Sequence, residues 1–208
     1  MPRIHPHYAT SESPAPLTSI ITAGDEPAAF TVWRKSLLLN CSGFTVYNAE
    51  GNLFFRVENY PSSSLNKIVL MDPIGIPLFT VRRKRFTLMD QWEIYKGSES
   101  EKPCFSARKH FPFLRSESLA HLTAGGVSGG GIKSKYDVEG SFSKRSCVVY
   151  DERRVKAAEI RRKEVVCNKT FNGDVFRLIV QPGFDAALAM AIVIVVEQMT
   201  GLPASPGG

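Results

Sequence analysis

Two runs of basic residues offer the most explicit chemistry in this chain, Arg82-Arg83-Lys84-Arg85 and Arg161-Arg162-Lys163. Guanidinium forks hold phosphate oxygens through paired N–H donors and lysine adds a point charge, so such runs suit a phosphate-binding surface. Both sit in equivalent places in two copies of an internal repeat, just past an inward-facing apolar pair. Strand alternation turns Arg82, Lys84, Arg161 and Lys163 outward and leaves Arg83 and Arg162 at strand ends. The runs admit a second reading, as solvated charge that blunts strands, and Glu58 at the matching place in the first copy favours it. A net charge of +6 and a pI near 9.2 direct attention to acidic partners such as anionic lipid. Trp92 and Tyr95 read as barrel-wall or core aromatics rather than base-stacking platforms, so nucleic acid is not an expected partner.

Catalytic patterns are harder to find. The histidines are His5, His7, His110 and His121. A Cys104/His110 nucleophilic pair is weighed against a core role for Cys104 and a strand-end role for His110, and the structural roles are favoured. There is no HExxH, no GxSxG and no paired-cysteine metal pattern. Gly126 to Gly131 followed by Ile132-Lys133-Ser134 approaches a phosphate-binding loop, but it has one residue too many before the lysine. A strand also follows where a helix must aim its amides at phosphate. The expectation is a protein that is not an enzyme, with no metal and no cofactor.

The elements that would carry the basic runs are short strands. Segments rich in Val, Ile, Phe, Tyr and Thr recur about every ten residues between turn residues, which indicates an antiparallel sandwich or barrel. They run over 31–38, 44–49, 53–59, 66–72, 77–83, 90–96, 103–109, 136–142, 146–151, 155–162, 164–171 and 174–181. Three stretches align without gaps, Val46 to Val57, Leu70 to Val81 and Val149 to Ile160. Each reads as strand, Asx-type turn, strand, with Gly51 and Gly75 supplying positive φ. Arg154 stands at the glycine place of the third copy, so that turn must differ or carry strain. Phe55/Val57, Phe79/Val81 and Ala158/Ile160 should face inward.

Near the C-terminus, Ala186 to Val196 is apolar on every side, which requires burial. Eleven residues span only about 16 Å, short of a bilayer's hydrocarbon, so the stretch predicts a core helix and no transmembrane segment. Ile192 to Val196 are β-branched and could form a strand; the alanine-rich start, Asp185 as N-cap and Gly201 with Pro203 as a stop favour the helix. The resulting plan is a proline-rich tail over 1–29, one domain over 30–201 with a long glycine-rich loop at 116–135, and a tail over 202–208. Four dispersed cysteines and the lack of a secretory signal fit reduced thiols and a monomeric cytoplasmic protein. A peripheral plasma-membrane location or the nucleus is an alternative to the open cytoplasm. A nuclear signal in Arg82 to Arg85 is the weaker case, because the run sits in a folded hairpin.

Several stretches resemble the LURP-one-related family of plant proteins, which share the tubby-like C-terminal domain fold. They are Phe44-Thr45-Val46-Tyr47, the Arg82-Arg83-Lys84 strand end, Gln91 to Gly97, Val138 to Phe142, Cys147 to Asp151 and Asp174 to Leu178. Val180 to Asp185, leading into the apolar helix, is the last. The resemblance runs in the family's order over residues 31 to 200, with a longer glycine-rich loop. It implies a closed antiparallel barrel of twelve strands around one hydrophobic helix. It also implies a peripheral module for anionic phospholipid, as in the phosphoinositide-dependent membrane tethers of tubby domains, and a link to plant defence. Phospholipid scramblases look like members of the same fold group, so scrambling is an alternative, as is a protein-interaction scaffold. No individual lipid-binding residue of tubby domains carries over.

Overall fold

The computed structural model describes residues 25–35, 37, 43–60, 67–84, 90–98, 101–109, 118–125, 135–163 and 174–201. Among these residues twelve strands and one helix follow one another. The strands are β1 (Ala28–Trp33), β2 (Gly43–Tyr47), β3 (Leu53–Tyr60), β4 (Lys67–Met71), β5 (Pro77–Arg83), β6 (Gln91–Lys96), β7 (Phe105–Lys109), β8 (Ser118–Ala124), β9 (Tyr136–Ser141), β10 (Ser146–Asp151), β11 (Lys156–Arg162) and β12 (Val175–Val180). The helix is α1 (Ala186–Thr200). Each strand pairs antiparallel with its chain neighbours, and β1 pairs with β12 to close the barrel.

Size explains why a helix belongs inside. Twelve strands about 4.8 Å apart and tilted by roughly 40° form a ring roughly 24 Å across. A layer of wall side chains occupies about 5 Å on each side, leaving a bore of roughly 14 Å. A helix with its side chains is about 10–12 Å wide and fills it. Accordingly all but Gln198 and Thr200 of the fifteen α1 residues are buried. Ile192 to Val196 lose a few tenths of a kcal/mol each in helix propensity, but they gain an apolar wall on every side. Asp185 caps the start, its Oδ1 accepting from the amides of Ala187 (2.8 Å) and Leu188 (3.3 Å). Gly201 ends the helix at φ 62°, its amide donating to Glu197 O. No helix among the described residues is long and apolar enough to cross a membrane.

The wall alternates as strand geometry requires. Phe55/Val57, Phe79/Val81 and Ala158/Ile160 all point inward and are buried. The three repeat turns share one hydrogen-bond pattern. Asn48, Asp72 and Asp151 each accept from the amide four residues on (2.8, 2.8 and 2.7 Å), and a register shift follows in each hairpin. Arg154 adopts φ 64°, the left-handed conformation that Gly51 and Gly75 supply in the other copies. The third turn therefore keeps the shape and places a non-glycine residue in it. The guanidinium of Arg154 pairs with both oxygens of Glu139 and covers the Tyr150 ring.

Three expectations need adjustment. Ser118–Ala124, taken as part of a loop over 116–135, is strand β8, with Ala120 and Leu122 facing the core. Alanine, histidine and the downstream glycines gave it little intrinsic strand character, and its two neighbours in the sheet supply the order instead. Ala28 and Ala29, assigned to the tail, pair with Val180 and Ile179 in the closing seam. The first strand ends at Trp33, short of Leu38. The strand expected over 164–171, the glycine-rich part at 126–134 and most of both tails lie outside the described residues.

Met190 sits about one turn into α1 at 0% exposure. An unpaired lysine ammonium there costs several kcal/mol, comparable with the roughly 5–15 kcal/mol that holds a whole domain together. Met190→Lys should therefore abolish folding, read as loss of the β-sheet circular-dichroism signal and of a cooperative melt. Soluble, cooperatively melting protein would contradict the assignment.

Candidate functional site

The strand ends set the geometry of the basic runs. All odd-numbered strands run one way, so Arg83 at the end of β5 and Arg162 at the end of β11 open onto the same end of the barrel. Around that ring β5 and β11 stand six strand positions apart, on opposite sides. The two runs share an end and do not form one patch. Within the first run, Arg82 is half-buried, its guanidinium 5.0 Å above the Tyr95 ring and its Nη2 donating to Ser98 O. Arg83 pairs with Asp90 (2.9 Å) and Lys84 with Glu93 (3.3 Å). Arg85 lies outside the described residues. In the second run, Arg161 donates to both oxygens of Glu159, which holds that carboxyl below its usual range. Arg162 is exposed and Lys163 half-buried. Four members of the two runs are thus engaged by neighbouring groups, while Arg162 closes strand β11 and Lys163 follows it.

Charge is distributed along the barrel axis. At the end carrying the basic runs, strand termini and connecting residues include ten basic side chains: Arg34, Lys35, Lys67, Arg83, Lys84, Lys109, Lys144, Arg145, Arg162 and Lys163. The acids counted the same way are Asp90 and Asp174, with Glu197 added from the last turn of α1. At the other end six basic residues (Lys96, Lys102, Lys135, Arg153, Arg154, Lys156) meet eight acids (Asp25, Glu26, Glu50, Asp72, Glu101, Asp151, Glu152, Asp185). Among the described residues one end is therefore strongly positive and the other mildly negative.

The positive end is built around the C-terminal turn of α1. Lys109 donates to Met199 O at 3.0 Å, placing a cation where the helix dipole is negative. Arg34 reaches Glu197 at 2.6 Å, and its backbone amide donates to Asp174 O. Arg145, at φ 53° in the turn between β9 and β10, is buried between the rings of Phe142 and Phe176, 4.5 Å from each centroid. Burial pushes the Glu197 carboxyl up to about 7 against the pull of Arg34 and Arg145.

Other candidates resolve individually. Trp92 faces the core, and Tyr95 lies on the wall with its hydroxyl donating to Glu93, so neither is a free stacking platform. Cys104 donates to Ile94 O at 3.1 Å and is half-buried; its proposed partner His110, like Cys41 and Cys167, is outside the described residues. Burial raises the Cys147 thiol to about 12, an inert core group.

One cluster was not anticipated. Ser118 Oγ lies 3.3 Å from His121 Nε2, and His121 Nδ1 is hydrogen-bonded to Asp137 Oδ1 on the neighbouring strand. Spacing conceals it, because residues three apart on a regular strand face opposite sides. A search for serine, histidine and acid within one predicted hairpin would have found it only with the bulge at Leu119 known.

Glu197 supplies a pH test. Its folded-state value stands above its ordinary one of 4.5, so the folded state holds the proton more tightly. Stability from this group is present below about pH 4.5 and is lost as pH rises toward 7, by at most about 3 kcal/mol. Urea unfolding from pH 4.5 to 8 should show wild type losing stability relative to Glu197→Gln as pH rises. Parallel curves would show that Glu197 is ionised throughout.

Comparison with known proteins places this geometry. The family model described as LURP-one-related matches residues 28–197. The chain is 42% identical over 205 residues to Protein LURP-one-related 8 of Arabidopsis thaliana, covering 96% of this chain and 98% of that protein. It is 40% identical to Protein LURP-one-related 12 of the same plant, over 85% of this chain and 80% of the relative. An X-ray structure of an Arabidopsis thaliana protein superposes with a TM-score of 0.65 at 23% identity, covering 88% of this chain and 98% of that one, and shows the same fold. With the family model spanning β1 to the last turns of α1 and relatives matching over nearly the whole length, this chain belongs to the LURP-one-related family.

Proposed function

We propose that the protein is a peripheral module that docks on anionic phospholipid headgroups, phosphoinositides among them, through the positive end of its barrel, and so acts as a membrane-tethered regulator. The observation that carries this reading is the axial separation of charge. Each basic side chain near an anionic surface contributes about 1 kcal/mol, so four or five in register suffice for a reversible tether. Trp33 (42% exposed) and Leu37 (49% exposed) stand at the same end, and an amphipathic indole suits the headgroup layer. Ile74, Ile76 and Val155 are also exposed, but at the acidic end, which an anionic surface repels. Docking involves no bond-making step, so this role is non-enzymatic. A protein-interaction scaffold or a scrambling activity would not require one end of the barrel to be positive, which favours the docking role over both.

The test is co-sedimentation with vesicles of phosphatidylcholine alone or with phosphatidylserine or phosphatidylinositol bisphosphate added. Binding should need anionic lipid and weaken with salt. Charge reversal at Lys67, Lys144, Arg162 and Lys163 should reduce it by more than about a hundredfold, given about 1 kcal/mol per site. Reversal at Lys102 and Arg153 should leave it unchanged. Equal loss from both sets would remove the orientation, and indifference to all six would remove lipid docking.

A further inference from the structure

Ser118, His121 and Asp137 form a hydrogen-bonded line across the outer wall of β8 and β9, running from the first residue of β8, at the positive end, toward the middle of the wall. The bulge creates it. The register runs Ser118↔Glu139 and then Ala120↔Val138, so Leu119 is taken up as the extra residue and Ser118 turns onto the face of His121. Asp137 is directly opposed to His121 on β9 and shares that face. A carboxylate only accepts hydrogen bonds, so Nδ1 of the neutral ring carries the proton donated to Asp137. Nε2 is then left as the acceptor for the Ser118 hydroxyl. The 3.3 Å from Ser118 Oγ to Nε2 is close to the reach of a nucleophile and its base before substrate tightens them. The hydrogen bond to Asp137, itself 19% exposed, fixes the ring, and His121 is 37% exposed, so its edge is partly accessible from solvent. Arg108, exposed on β7 and directly opposed to His121, brings a guanidinium to the same face, where negative charge would develop on an acyl oxygen.

We propose that Ser118 is a nucleophile for acyl transfer from small carboxylic esters, with His121 as its general base and Asp137 as a positioning residue. The Ser118 proton moves to His121 Nε2 as Oγ bonds to the acyl carbon. The ester C–O bond breaks, and the departing alkoxide takes that proton and leaves as an alcohol. Water then gives a proton to Nε2 while its oxygen attacks the acyl carbon. The bond to Oγ breaks, Ser118 recovers the proton, and the sum is ester plus water to acid plus alcohol. No electron donor or acceptor is needed.

The full-length chain is treated with a fluorophosphonate and, separately, with p-nitrophenyl acetate, and adducts are located by peptide mass spectrometry. Both reagents should modify Ser118. His121→Ala should slow labelling by about a hundredfold or more, the scale of general-base assistance. Asp137→Asn should slow it and displace the pH profile of the labelling rate, with the thermal melt unchanged. Release of p-nitrophenol should disappear in Ser118→Ala. Failure of the folded wild-type chain to be modified at Ser118 overturns the proposal. So does an unchanged rate in His121→Ala, or p-nitrophenol release that survives Ser118→Ala.

Discussion

Closing twelve strands into one ring creates an interior too wide for side chains to fill, and most of this structure follows from that. A void of such width would be wet or would collapse the sheet, and the chain meets the requirement with its own last helix. Burial on all sides then dictates the composition of α1, apolar from Ala186 to Val196 with polar side chains kept to the ends. Asp185 satisfies the opening amides, and Glu197 with Arg34 and Lys109 handle the closing turn. Function is displaced outward by the same requirement, since the helix occupies the interior.

Antiparallel closure has a second effect. Each connection returns to the end it came from, so the three near-identical Asx turns gather at one end and the basic strand termini at the other. The positive end owes its charge to which strands stop there rather than to any single run. Several of those cations are also engaged by neighbouring acids, and ion pairs at this exposure add little stability but keep side chains oriented. The lipid-docking role and the solvated-charge reading of the runs are therefore compatible for Arg83 and Lys84, whose pairing leaves the net charge of that end positive.

What could be read in advance depended on whether one segment carried its own signal. The helix did, through an apolar run too long for these strands and too short for a bilayer. The repeat turns did, because Asn or Asp with a glycine three residues later is a local motif, and Arg154 at the glycine place marks the third turn as one that must differ or carry strain. Strand β8 did not: Ala120, His121 and Ala124 are weak strand formers, and their order comes from β7 and β9. The neighbourhood of Ser118, His121 and Asp137 was equally hidden, since a one-residue bulge reverses the face on which a side chain appears. The placement of Arg83 and Arg162 across the barrel required the closed ring, which rests on the pairing of the first strand with the last.

That pairing also has a temporal meaning. Strand β1 meets β12 across almost the full length of the domain, and the helix that fills the ring follows both of them in the chain. Contacts so distant in sequence form slowly, because the loop must be closed before they contribute. During synthesis the eleven preceding strands emerge with no plug and with two unpaired edges, a state that invites association between chains. Closing the ring therefore waits on the last part of the chain, because Ala28–Trp33 can pair with Val175–Val180 only once β12 has been made. The interval before that event is when this chain most needs protection from other copies of itself.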